Sequence, residues 1–325
     1  MTNPENSSHN YAVVFPGQGS QSLAMLDGWS GHSELLDNIL QEADECLGYD
    51  IGGIIQSGPL EKLNQTEITQ PAMLIAGVLA WRVWLQHCKS NNLKLPAYLA
   101  GHSLGEYSAL VAAGVLSFGD ALQLVEYRGQ CMQDAVPAGT GAMAAILGLN
   151  DEEVVQGCAM AAEVGIVEAV NFNAPGQVVI AGEKAAVEKA QEVLKESGAR
   201  RVLPLPVSVP SHCQLMIPAA KRLANRLDSI EFNVPSIPVI HNTDVETHRE
   251  VTDIKKVLVR QLHNPVRWVE SMQKIQASGT KIIIECGPGK VLSGLQKRIS
   301  RDLTAFPLFD NNSLLILQEA FAGKA

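Results

Sequence analysis

The chain has 325 residues, 46% of them apolar and 18% charged, which allows a large domain, a second smaller one and an extensive core. A net charge of -9 and an aromatic content of 5% argue against a general polyanion binder and against a stacking platform for single-stranded nucleic acid. No apolar run reaches the roughly 18 residues of a membrane-spanning helix, and residues 1–10, MTNPENSSHN, lack the plan of a secretion signal. They are expected to form a disordered lead-in. Cys46, Cys88, Cys131, Cys158, Cys213 and Cys286 include no C-x-x-C pair, so free thiols and a cytoplasmic protein are expected.

In chain order, Tyr11 to Phe15 is a short apolar run that predicts a strand, followed by the loop Pro16-Gly17-Gln18-Gly19. Residues 71–89 predict a long helix with Pro71 at its entry. Residues 97–100 predict a second strand, broken by Gly101, and helices follow over 104–113 and 118–134. The middle of the chain alternates differently: strand over 142–147, helix over 151–163, paired strands over 167–172 and 178–181, helix over 183–197 and an extended run over 201–207. That β-α-β-β-α-β order is the ferredoxin-like plan. Beyond it, a helix is predicted over 214–227, a strand over 237–241, helices over 252–262 and 266–277, and a strand over 281–286. The fold class is α/β: a parallel sheet covered by helices, interrupted by a small inserted unit. The expected division is a tail at 1–10, a large domain of 11–135 and 208–325, and a small subdomain of 136–207.

Gly101-His102-Ser103-Leu104-Gly105 matches G-x-S-x-G between a predicted strand and a predicted helix. A serine on so sharp a turn requires glycine neighbours to admit close approach, and the following helix N-terminus offers N–H groups to a forming oxyanion. The motif implies acyl transfer to serine. Alone it does not separate a hydrolase from a transferase.

A serine nucleophile needs a base, usually histidine. His102 adjoins the serine but points elsewhere, and its expected role is to support the turn. His212, between an extended run and a helix, is the first candidate, with His241 and His263 as rivals on position alone. No aspartate stands out as its orienting partner. Gly17-Gln18-Gly19 is the expected second source of oxyanion donors. The chain has neither a phosphate-binding glycine pattern nor a metal-ligand motif, so no metal or redox cofactor is expected.

Several blocks together resemble the bacterial malonyl-CoA:acyl carrier protein transacylases of type II fatty acid synthesis. They are FPGQGSQ (15–21), ITQPAMLIAG (68–77), GHSLGEYSAL (101–110), YRGQCMQDAVPAGTGAMAAILGL (127–149), VNFNAPGQVVIAG (170–182), LPLPVSVPSHC (203–213), VRQLHNPVRW (259–268) and GPGKVLSGLQKRI (287–299). The resemblance implies an α/β-hydrolase-like large domain with a ferredoxin-like insert. It implies Ser103 as nucleophile, His212 as base, and the N–H groups of Gln18 and Leu104 as the oxyanion hole. Arg128 would bind the malonyl carboxylate, and the Gln261 carbonyl would orient the histidine, with His102, Asn171 and Asn173 in support. Arg128 would set the acyl preference, because a guanidinium fork grips a carboxylate that an acetyl group lacks.

The resemblance further implies a ping-pong reaction in which malonyl-CoA and a holo-acyl carrier protein are substrates and no cofactor takes part. The expected partners are that carrier protein and the coenzyme A thioester, with no nucleic acid and no membrane, and the enzyme is expected to be a monomer. An acidic carrier protein needs a positive patch on this net-negative chain. Lys290, Lys297, Arg298 and Arg301 form one candidate, and Lys184, Lys189, Lys195, Arg200 and Arg201 another.

Overall fold

The computed structural model describes residues 10–137, 139–207 and 209–323, so the expected tail lies outside the described residues except for Asn10. The strands are β1 (Tyr11–Phe15), β2 (Tyr98–Gly101), β3 (Gly141–Leu147), β4 (Val167–Ala174), β5 (Gln177–Glu183), β6 (Arg201–Pro204), β7 (Val239–Ile240), β8 (Ile282–Cys286) and β9 (Thr304–Leu308). They form two sheets.

The larger sheet has the order β7-β2-β1-β8-β9, and every pairing in it is parallel. Its centre, β1, is an unbroken apolar run with no residue more than 1% exposed, as a strand covered on both faces must be. The register sets Phe15 beside Gly101, so the loops that follow β1 and β2 leave the sheet side by side at the carboxyl ends of the strands. That is the edge where open α/β sheets build their sites.

The smaller sheet is antiparallel, in the order β4-β5-β3-β6, and carries the helices Asp151–Ala161 and Lys184–Glu196. Read along the chain this is β-α-β-β-α-β with the first strand central, the ferredoxin-like arrangement. It has its own apolar cluster, including Ile146, Val154, Val167, Ile180, Val187 and Leu194.

Several predicted elements shift. The long helix runs Thr66–Ser90, so Pro71 lies inside it rather than at its entry. Thr69 Oγ1 donates to the Leu63 carbonyl at 2.5 Å and secures the added first turn. This helix is apolar and long enough to cross a membrane by length and composition, but 89% of its apolar window is buried within the protein. It is a core helix. The helix predicted from 266 starts at Trp268, because Val266 is used as a bridge to β4. Its N–H donates to Val170 at 2.8 Å and its carbonyl accepts from Phe172 at 3.0 Å, joining the two sheet units. The run over 201–207 is strand only to Pro204, and that over 237–241 only at Val239–Ile240. The helix predicted over 214–227 is a short 3-10 turn, Gln214–Met216, followed by the helix Ile217–Asp228, with Pro218 in its first turn. The 3-10 helix Asp27–His32, the helices Ser33–Leu47, Ile51–Ser57, Leu60–Leu63, Val291–Ile299 and Asn311–Phe321 and the strand β9 also belong to the large unit and are absent from the sequence reading.

Candidate active site

Ser103 lies between β2 and the helix Gly105–Ala112 with φ of 52°, the left-handed region that ordinary residues avoid. The tightness of this turn explains its glycines. A Cβ on Gly101 would stand 1.9 Å from the Gly105 carbonyl carbon, and one on Gly105 would stand 2.1 Å from the Phe15 carbonyl oxygen. Both positions therefore exclude any side chain. A Cβ on Gly17 would stand 2.5 Å from the His102 carbonyl oxygen, so the loop after β1 rests directly on the turn. Asn242, just beyond β7, clamps the turn from the other side. Its Oδ1 accepts from the Ser103 N–H at 2.7 Å, and its Nδ2 donates to the Gly101 carbonyl at 2.7 Å.

Ser103 Oγ lies 2.7 Å from His212 Nε2. The opposite ring nitrogen, Nδ1, is 2.7 Å from the Gln261 backbone carbonyl. A carbonyl only accepts, so Nδ1 must carry the proton and Nε2 presents its lone pair to the serine hydroxyl. His212 also has a left-handed backbone, φ 66°, and its N–H donates to the Leu262 carbonyl at 2.9 Å. Burial, reinforced by the positive charge of Arg128, pulls its pKa down to about 3. At neutral pH the imidazole is therefore uncharged and able to take a proton. The rivals are elsewhere: His241 Nδ1 pairs with Glu106 Oε1 at 2.7 Å, and His263 Nδ1 is buried without a partner.

Arg128 projects from the helix Phe118–Ala135 and is 1% exposed. Its Nη1 donates to Gln70 Oε1 at 2.9 Å, its Nη2 to Gln261 Oε1 at 3.0 Å, and its guanidinium lies 5.5 Å from the Tyr107 ring centre. Nε has no partner, and among the described residues no carboxylate makes an ion pair with it. Burial pulls its pKa below the ordinary arginine value, but arginine does not lose its proton in proteins. A buried cation held by two neutral amides is poised for an anion from outside.

The remaining predicted residues surround this centre. His102 Nε2 pairs with Asn173 Oδ1 at 2.7 Å, and its ring packs 5.4 Å from that of Trp268. Asn171 sits on β4 with its Oδ1 buried and without a partner. Among the described residues the N–H groups of Gln18 and Leu104 have no hydrogen-bond partner. Of the basic candidates, Arg298 is engaged: its Nη2 donates to the Pro175 carbonyl at 3.1 Å and its Nη1 to Gln177 Oε1, tying the helix Val291–Ile299 to the β4–β5 turn. Lys290, Lys297 and Arg301 are exposed. In the other patch Lys189 pairs with Glu192 at 3.4 Å.

The sequence reading does not single out Gln70, Glu106 or Asn242, which join this hydrogen-bond network. Their signal is a polar side chain beside an apolar run: Gln70 precedes the run 71–81 and Asn242 follows β7, and all three are at most 1% exposed. Among the described residues no group of three or more His, Cys, Asp or Glu side chains could hold a metal ion.

The chain matches known proteins over most of its length. The acyl transferase domain family model matches residues 12–304. The malonyl CoA-acyl carrier protein transacylase of Haemophilus influenzae is 53% identical over 309 residues, covering 95% of this chain and 98% of that one. The chain belongs to the malonyl CoA-acyl carrier protein transacylase family. An acyl carrier protein S-malonyltransferase from Vibrio cholerae superposes on this acyltransferase with a TM-score of 0.91 at 55% identity, covering 95% of this chain and 99% of that one. A malonyl-transacylase solved in complex with its type II PKS acyl-carrier protein superposes with a TM-score of 0.92 at 51% identity, covering 96% and 99%.

Proposed function

We propose that this acyltransferase moves the malonyl group of malonyl-CoA to the phosphopantetheine thiol of an acyl carrier protein, through an ester on Ser103, and so supplies extender units for fatty acid synthesis. His212 Nε2 takes the hydroxyl proton as Ser103 Oγ bonds to the thioester carbonyl carbon. The N–H groups of Gln18 and Leu104 receive the oxyanion. The carbon–sulfur bond breaks, and the proton on His212 passes to the departing coenzyme A sulfur. The same histidine then takes the proton of the carrier-protein thiol, whose sulfur displaces Ser103 Oγ, and returns it to the serine.

The observation that carries this reading is Arg128: a buried guanidinium, without a carboxylate partner among the described residues, joined through Gln261 to the histidine beside Ser103. An esterase for neutral acyl groups has no use for such a charge. The names of the relatives support the same substrate and partner. We further propose that 11–135 and 208–325 form the catalytic unit, that 136–207 walls its cleft, and that the protein is cytoplasmic, as its free cysteines suggest. Radiolabelled malonyl-CoA mixed with enzyme and holo-acyl carrier protein should label the carrier protein. Release of free malonate at the same rate, with the carrier protein unlabelled, would replace this reading by hydrolysis.

A further inference from the structure

Glu106 stands in the first turn of the helix Gly105–Ala112, three residues after Ser103, and is fully buried. A carboxyl group in that position is tolerable only if its oxygens are matched by donors. Three residues on two separate segments supply them. Oε1 pairs with His241 Nδ1 at 2.7 Å, while Oε2 accepts from the Asn242 N–H at 3.0 Å and from Gln261 Nε2 at 2.9 Å.

Each of the last two partners leads back to the site. Asn242 clamps the Ser103 turn. Gln261 holds His212 through its carbonyl and Arg128 through its side-chain oxygen. A glutamine amide has a donor end and an acceptor end. The donor end of Gln261 is taken up by Glu106 Oε2 and by the Ser103 carbonyl at 3.0 Å. Its oxygen is thereby left facing the guanidinium. Turned over, the amide would set N–H against N–H at Arg128 and oxygen against oxygen at Glu106.

We propose that Glu106 is a positioning residue for acyl selection: by fixing the Gln261 amide with its oxygen toward Arg128, it aims the guanidinium at the acyl carboxylate. Glu106 itself touches no substrate. This rests on Arg128 being the carboxylate clamp.

The test compares Glu106→Asp with Glu106→Gln in the full chain, reading kcat and KM for malonyl-CoA and acetyl-CoA. Aspartate keeps the charge but is one methylene short of Gln261. Glutamine keeps the reach: its oxygen still accepts from Asn242 and Gln261, and His241, whose Nε2 has no partner among the described residues, can shift its proton and accept at Nδ1. Glu106→Asp should lower the preference for malonyl over acetyl about tenfold or more, mainly through the malonyl KM, the scale of one lost charge-assisted hydrogen bond. Glu106→Gln should keep the preference within about threefold of wild type.

Gln261→Leu, which retains the backbone carbonyl on His212, should lose the preference as well, and Glu106→Asp added to it should change it no further. Equal losses for both thioesters in Glu106→Asp would mean a merely structural role and overturn the proposal. So would retained preference in Gln261→Leu, or a Glu106→Gln variant as impaired as Glu106→Asp. Arg128→Ala is the control. If it leaves the acyl preference intact, the reading of the site itself fails; if it removes the preference while Glu106→Asp does not, only the role of Glu106 fails.

Discussion

Replacing Arg128 by alanine isolates the charge on which the proposed substrate choice depends. The guanidinium is 1% exposed and bound to two glutamine oxygens, so the acyl carboxylate would be its only direct anionic partner. Removing one member of a buried ion pair typically costs about 3–5 kcal/mol, and each 1.36 kcal/mol is tenfold, so kcat/KM for malonyl-CoA should fall roughly 150- to 5000-fold. Acetyl-CoA has no carboxylate to lose, and its smaller rate should change little. Arg128→Lys should fall between, since an ammonium keeps the charge without the planar fork. Rapid-quench measurement of acyl-enzyme formation with each thioester gives both constants. A parallel fall with the two substrates, or a malonyl loss below about tenfold, would refute the argument.

Further outcomes follow from the same geometry. His212 acts as a base only when neutral, and its pKa is pulled down from the ordinary 6.5 by burial and then by Arg128. Reactivity of Ser103 toward a neutral sulfonyl fluoride should therefore persist well below pH 6.5 and decline only as the pH approaches the lowered value. In Arg128→Gln, loss of a neighbouring positive charge should move that acid limb to higher pH; an unmoved limb would contradict the coupling. The same shift enters stability. Between about 3 and 6.5 the unfolded chain binds the proton that folded His212 refuses, so this group's contribution favours unfolding increasingly as the pH falls through that window. In urea titrations across it, the stability of wild type relative to His212→Gln should fall as the pH is lowered. Gly105→Ala places a methyl 2.1 Å from the Phe15 carbonyl oxygen and should destabilise by about 3 kcal/mol, the upper part of the usual overpacking range, read from the denaturation midpoint.

Much of the fold was legible because hydrophobic periodicity is a local property. The β1 run, the strand before Ser103 and the β-α-β-β-α-β order appear within a residue or two of their predicted places, apart from the last strand, which ends three residues early at Pro204. Beyond the local helices left unread, such as Ser33–Leu47 and Asn311–Phe321, two departures depend on distant partners. Val266 fits a helical pattern but is taken up by the backbone of β4. β9 contains Pro307, which counts against a strand until the chain is seen to place it at a sheet edge, where a missing N–H costs little.

The site divides along the same line. The glycines around Ser103 signal their turn directly, whereas position alone puts His212 only modestly ahead of His241 and His263. Resemblance to a known family separated them, and the geometry gives the reason: Glu106 engages His241 away from the serine. The partner of His212 Nδ1 is a backbone carbonyl, which no residue type announces. Glu106 and Asn242 are polar groups that work by reaching across more than 130 residues of chain, a relation that spacing does not show.

The central claim is that Ser103 carries the malonyl group. Intact-protein mass, recorded after brief exposure to malonyl-CoA, tests it most directly. Wild type should gain one malonyl group, located by peptide mapping to the segment containing Ser103 and lost on addition of holo-acyl carrier protein, while Ser103→Ala should gain none. An adduct of the same mass on Ser103→Ala, or one that holo-acyl carrier protein leaves in place, would contradict the account.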